Sequence, residues 1–139
     1  MRLLPTLTIL ACLISAPAMA EDFERVPPVS DAVVQKECGA CHIPFPAAFM
    51  NTQAWTQLTG DLAHHFGEDA SLPADKLKAV QAYYSQNAGR SQAGLVRISQ
   101  QSWWLREHRA VGQSKFAAAK SKANCQACHT EADKGIFEH

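Results

Sequence analysis

Two copies of one five-residue pattern constrain this chain more than any other feature. The first is Cys38-Gly39-Ala40-Cys41-His42 and the second is Cys125-Gln126-Ala127-Cys128-His129. Two thiols three residues apart can each add to one vinyl group of a single haem, and the adjacent histidine then lies beneath its iron. A zinc site would use the two thiol pairs as four thiolates and would not need a histidine directly after each. A thioredoxin-like pair needs one motif near a βαβ pattern, and no strand alternation is visible here. The spacing therefore predicts two covalently bound haem c groups. Cys38, Cys41, Cys125 and Cys128 are the attachment residues, and His42 and His129 the near-side iron ligands.

The first twenty residues read as an export signal. Arg2 supplies the positive end, Leu3 to Ile14 is apolar, and Ala18-Met19-Ala20 is a small-residue cleavage site. Cleavage after Ala20 is expected, which places the mature protein in the periplasm. Cys12 is a poor lipidation site, because Leu10 is bulky and apolar sequence continues past it. No later stretch is long and apolar enough to span a bilayer, so no membrane insertion is expected after cleavage. An oxidising compartment normally pairs cysteines. The other four cysteines of the five in the chain are all taken up by the two motifs.

Charge excludes one partner class. The 13 Lys and Arg residues balance 13 Asp and Glu residues, and loss of Arg2 leaves one acid in excess. A near-neutral chain is not expected to bind nucleic acid. Basic residues do gather between Arg90 and Lys122, where a solvated helix face is the plainer reading.

The pattern between the motifs is helical, so the fold class is all-α. Ser30 is placed to cap a helix running toward Cys38, and Pro44 and Pro46 end it. Asn51 or Thr52 caps a second helix predicted to run to about Phe66, with Gly67 as its stop. Ser71-Leu72-Pro73 opens a third that carries Leu77, Val80 and Tyr84 on one face and ends near Asn87. A fourth is predicted over Gln100 to Val111 and a fifth from Ser114 toward the second motif. The division expected is a signal peptide (residues 1–20), an N-terminal haem unit (21–94) and a C-terminal haem unit (95–139). About 119 mature residues in two units leave each with little core of its own. Each haem is expected to act as the apolar centre of its unit.

Each iron has a second axial position. Met50 follows His42 too closely to cross to the opposite face, and reads as a gap-filling core residue. Four other histidines remain: His64, His65, His108 and His139. At about 100° per residue, His65 falls on the apolar side with Trp55, Leu58, Leu62 and Phe66, while His64 falls nearly opposite. His108 lines up with Trp104 and Val111. His139 ends the chain, where fraying is expected. The pattern therefore points to His65 for the first iron and His108 for the second. The tryptophans Trp55, Trp103 and Trp104 read as core packed around haem.

Four segments taken in order resemble the small dihaem cytochrome c family. They are Glu37-Cys38-Gly39-Ala40-Cys41-His42, Asp61-Leu62-Ala63-His64-His65-Phe66-Gly67-Glu68, Trp103-Trp104-Leu105-Arg106-Glu107-His108-Arg109 and Asn124-Cys125-Gln126-Ala127-Cys128-His129. The resemblance implies an N-terminal unit like a reduced class I cytochrome c and two bis-histidine haems. By the family's motif positions, His65 and His108 are the far-side ligands. It further implies redox partner proteins, among them an oxygen-binding monohaem cytochrome c and a membrane b-type cytochrome. Electron transfer through low-potential haems is the expected role, because histidine on both faces leaves no open iron and Met ligation is what raises potentials. A dihaem peroxidase, a nitrogen-oxide reductase or a haem-based ligand sensor is the alternative. Too few residues remain to build a substrate pocket, and no signalling domain is present, so the chain is not expected to be an enzyme.

Overall fold

A computed structural model describes residues 24–91 and 94–138. The cleavage site, Cys12 and His139 lie outside these residues. Asp31 opens the first helix, α1 (Ala32–Cys38), by accepting from Val33 N at 2.9 Å and Val34 N at 3.0 Å. This satisfies donors that a helix start otherwise leaves orphaned. The cap is thus Asp31 rather than Ser30, because its carboxylate reaches both amides. Asn51 caps α2 (Thr52–Thr59) through Ala54 N at 2.8 Å. Its own amide and side-chain nitrogen bond Ser91 Oγ and Ser91 O, both at 2.9 Å, tying this start to the chain that leaves α3 (Ala74–Asn87).

Helix α2 stops seven residues before the predicted end at Phe66. Gly60 is a poor helix former, and Asp61 leaves the helical region at φ −140°, ψ 57°. A short 3-10 turn over Leu62–His64 follows, then a reversal in which Glu68 N donates to His65 O at 3.1 Å. Phe66 and Gly67 make that reversal with φ of +55° and +107°. Helix α4 is also shorter than predicted, at Ser102–Glu107, because the turn from His108 to Val111 closes it. Helix α5 covers Gln113–Ala118, and the second motif itself forms a 3-10 turn over Cys125–Ala127. There is no β-strand among the described residues, only two isolated bridges, Arg25–Ile136 and His65–Glu68.

Packing builds two apolar clusters of unequal size. Helices α1, α2 and α3 enclose the larger one with Val34, Ala54, Trp55, Val80 and Tyr84, joined by Val29, Ala47 and Met50. Burying a Val or Met side chain is worth roughly 1.5–3 kcal/mol, so Val34, Met50 and Val80, each at most 1 % exposed, are major contributors. Trp55 stacks on Tyr84 at 3.9 Å, and its Nε1 donates to Ala47 O at 2.8 Å. The smaller cluster has only Phe49, Trp103 and Trp104 fully inside, flanked by Val26, Phe116 and Phe137. Phe45 and Ile98 touch both clusters. Trp103 Nε1 donates to Phe49 O at 3.1 Å, joining α4 to the segment before α2 inside the smaller cluster.

The two ends of the described chain close on each other. Val26 N donates to Gly135 O at 2.9 Å and Phe137 N to Glu24 O at 2.6 Å. Gly135 has φ +76°, and a Cβ there would stand 2.0 Å from Val26 O. Gly135→Ala must therefore adopt a left-handed backbone and displace the N-terminal segment. It is expected to lower the stability of the haem-loaded protein by roughly 1–3 kcal/mol. Gly67→Ala, where nothing lies within 4 Å of a Cβ, pays only the backbone strain. Thermal unfolding of the two variants should rank them in that order.

Candidate haem sites

Cys38 ends α1, so the first motif leaves the helix at its last turn and presents Cys41 and His42 beyond it. His42 Nδ1 lies 2.7 Å from Ile43 O. A carbonyl only accepts, so Nδ1 carries the proton and the lone pair is on Nε2. The ring stacks on Phe45 at 4.6 Å. The reversal after α2 brings His65 opposite: the two ring centres are 6.2 Å apart and the planes 21° from parallel. Burial, then the nearby His42 and Arg97, hold His65 below the usual histidine range, which favours the neutral form a metal ligand needs. Its Nδ1 is buried and has no hydrogen-bond partner in the polypeptide.

His64 faces the other way. Its side chain is 80 % exposed and its Nδ1 meets Asp61 Oδ1 at 2.7 Å. That hydrogen bond and charge raise its pKa above the usual value. The helical wheel that separated His64 from His65 assumed an unbroken helix, and the structure separates them instead by the 3-10 turn and the reversal.

The second site is assembled from α4 and the second motif. His108 follows α4 directly, and His129 follows the motif's 3-10 turn. Their ring centres are again 6.2 Å apart, but the planes stand at 84°. His108 Nδ1 lies 2.9 Å from Trp104 O, and His129 Nδ1 lies 3.4 Å from Glu138 O. Both rings thus turn Nδ1 toward a carbonyl, as in metal-bound histidines. A cavity of about 1180 Å³ is lined by His108, His129, Cys125, Cys128, Phe116 and Phe137. A neighbouring cavity of about 760 Å³ is lined by Cys41 and His42 on one side and Cys125 and Gln126 on the other, so the two motifs adjoin.

These residues fit haem in three respects. A metal–imidazole bond is about 2.0–2.1 Å, and a ring centre lies about 1 Å beyond the nitrogen, so two imidazoles across one ion stand about 6 Å apart. Among the described residues no cluster of three or more His, Cys, Asp and Glu is placed to hold a bare ion. Pairs of histidines suit an iron whose other four ligands come from a macrocycle. Burial pushes both the Cys38 and the Cys125 thiols up to about 11. Such sites suit the neutral sulfur of a thioether, and oppose the thiolate of a zinc or redox site.

The sequence matches the family described as dihaem cytochrome c over residues 34–137. The chain belongs to the dihaem cytochrome c family. Its cofactors are two covalently attached haems c. The dihaem cytochrome is similar to a crystal structure of DHC purified from Rhodobacter sphaeroides, at 40 % identity and a TM-score of 0.75, over 79 % of this chain and 99 % of that one. It is also similar to a dihaem cytochrome c from Shewanella baltica OS155, at 31 % identity and a TM-score of 0.70, over 77 % of this chain and 86 % of that one. No curated protein matches it in sequence. The helical architecture of this dihaem cytochrome is that of those structures.

With both haems attached, His64→Ala should leave the absorption spectrum of the dihaem cytochrome unchanged and its stability within about 0.5 kcal/mol, as expected for an exposed ion pair. A changed Soret band would show that His64 is nearer the first haem than its exposure implies.

Proposed function

We propose that this dihaem cytochrome is a periplasmic electron carrier in which each iron is held between two histidines. His42 and His65 serve the first haem, and His129 and His108 the second. The haems are attached through Cys38 and Cys41 and through Cys125 and Cys128. The observation that carries the reading is the shared ring spacing of 6.2 Å in two histidine pairs built from unrelated local structures. Neither iron then offers a position for substrate, so the chemistry left is gain and loss of an electron. Histidine on both faces favours low potentials. We read two haem units, residues 21–94 and 95–139, that meet where the motifs adjoin and exchange electrons over a short distance.

The export signal, residues 1–20 with cleavage after Ala20, supports the periplasmic assignment. Among the described residues no helix is long and apolar enough to cross a membrane. The partners are redox proteins. An oxygen-binding monohaem cytochrome c and a membrane b-type cytochrome are the specific candidates that the family resemblance offers.

Ligation is tested by spectroscopy. Both haems should be six-coordinate and low-spin when oxidised and when reduced, and the reduced protein should bind carbon monoxide slowly or not at all. His65→Ala should open the first haem and His108→Ala the second, each giving one high-spin, carbon monoxide-binding haem per chain. Rapid carbon monoxide binding by the unaltered protein would overturn the ligand set and turn attention to an enzyme or sensor.

Partner docking is tested by salt. Arg90, Arg106, Lys115 and Lys122 line the cavity of the second site. Carriers dock through small, charge-steered contacts. The bimolecular rate with an acidic partner should fall steeply with ionic strength, since exposed charges are screened beyond about 8 Å at physiological salt. Lys115→Glu should slow it further while the potential of the first haem stays in place. A rate indifferent to salt would count against charge steering at this face.

A further inference from the structure

The two histidine pairs share a spacing and differ in twist, with planes at 21° for His42 and His65 but 84° for His108 and His129. Such a twist needs a cause, because a histidine ring turns about its last side-chain bond over a broad, shallow energy well. His108 is held by one residue in two ways. Its ring lies against the Trp104 ring at 4.1 Å and 12°. Its Nδ1 donates to Trp104 O at 2.9 Å. Trp104 is itself buried, and Phe116 lies beside both rings, 5.6 Å from Trp104 and 6.3 Å from His108. The opposite ring is held less closely, with Phe137 edge-on to His129 at 5.7 Å.

We propose that Trp104 is a positioning residue. It sets the ring plane of His108, crosses it against His129, and so makes the two haems electronically unlike. The proposal rests on the bis-histidine reading above. An imidazole donates electron density through the orbital perpendicular to its ring, and so raises one of the two iron d orbitals of matching symmetry. Parallel rings raise the same orbital and split the pair. Crossed rings raise one each and leave the pair nearly equal. A low-spin ferric iron carries its unpaired electron in this set, so its electron paramagnetic resonance reports the ring angle. The His42–His65 pair should give a spread, rhombic signal, and the His108–His129 pair a single feature at large g.

The test is the frozen-solution resonance spectrum of the oxidised protein carrying both haems, beside Trp104→Phe and Trp104→Leu. The unaltered protein should show one rhombic and one large-g low-spin signal. Trp104→Phe keeps an aromatic face and the backbone carbonyl, and should retain both. Trp104→Leu loses the stacking face. Its large-g signal should broaden and move toward the rhombic form, while the first signal stays as an internal control. Two rhombic signals in the unaltered protein would overturn the crossed geometry. A large-g signal unmoved in Trp104→Leu would overturn the role of Trp104. A high-spin signal in the unaltered protein would instead overturn the ligand set beneath both. If Trp104→Leu does not load both haems, Trp104→Met, which keeps more of the buried volume but has no flat aromatic face, takes its place and should broaden the same signal. An unchanged spectrum there would also count against the proposal.

Discussion

Two histidine pairs stand at one separation, the length at which two imidazoles span a single metal ion, and that length relates otherwise unconnected parts of the molecule. His42 and His65 come from a helix end and a chain reversal, His108 and His129 from a second helix end and a second motif. Nothing local relates these four segments, yet both pairs stand at 6.2 Å. The loop that carries His65 is sharply turned. Phe66 takes a left-handed conformation that a bulky residue rarely adopts, and Gly67 follows it. Arg97 covers the exposed Phe66 ring at 4.0 Å, pinning the reversal from the far side.

The unequal cores have the same origin. The larger cluster has three helices and a stacked Trp55–Tyr84 pair to sustain it. The smaller has three buried residues, one of which, Phe49, comes from the 3-10 turn Ala47–Phe49 that precedes α2. So few side chains cannot enclose a unit in water. The cavity of about 1180 Å³ beside them has room for the apolar body of one of the two haems. Phe45 and Ile98 touch both clusters, and the pairing of Val26 with Gly135 closes the two ends of the described chain on each other, so the clusters are interlocked and neither is built as an independent bead on a string.

Much of this was legible in the chain. The motif spacing, the all-α class, the third helix and the Asn51 cap all rest on local chemistry that needs no distant partner. The break after α2 was harder to see. Leu58, Leu62 and Phe66 keep a helical rhythm through Gly60, and periodicity alone does not register that Asp61 leaves the helix. The inward side of His65 was inferred from that rhythm, whereas the fold turns it inward by a reversal. The short α4 is a similar case, since His108 leaves the helix to close a turn.

The sequence by itself determined the chemistry: two five-residue motifs carry the spacing that covalent haem attachment needs, because thioether formation depends on spacing along one short stretch of chain. The tertiary structure alone decided how the four histidines face one another. A ring's twist is a soft torsion that the histidine's own rotamer preference does not set. The stack of Trp104 on His108 sets it at one site, and at the other His42 rests on Phe45 while a sharp reversal carries His65. Each of these holds is local in the chain, but whether a pair lies parallel or crossed depends on how two such rings meet, and only the fold that brings His65 to His42 and His108 to His129 supplies that.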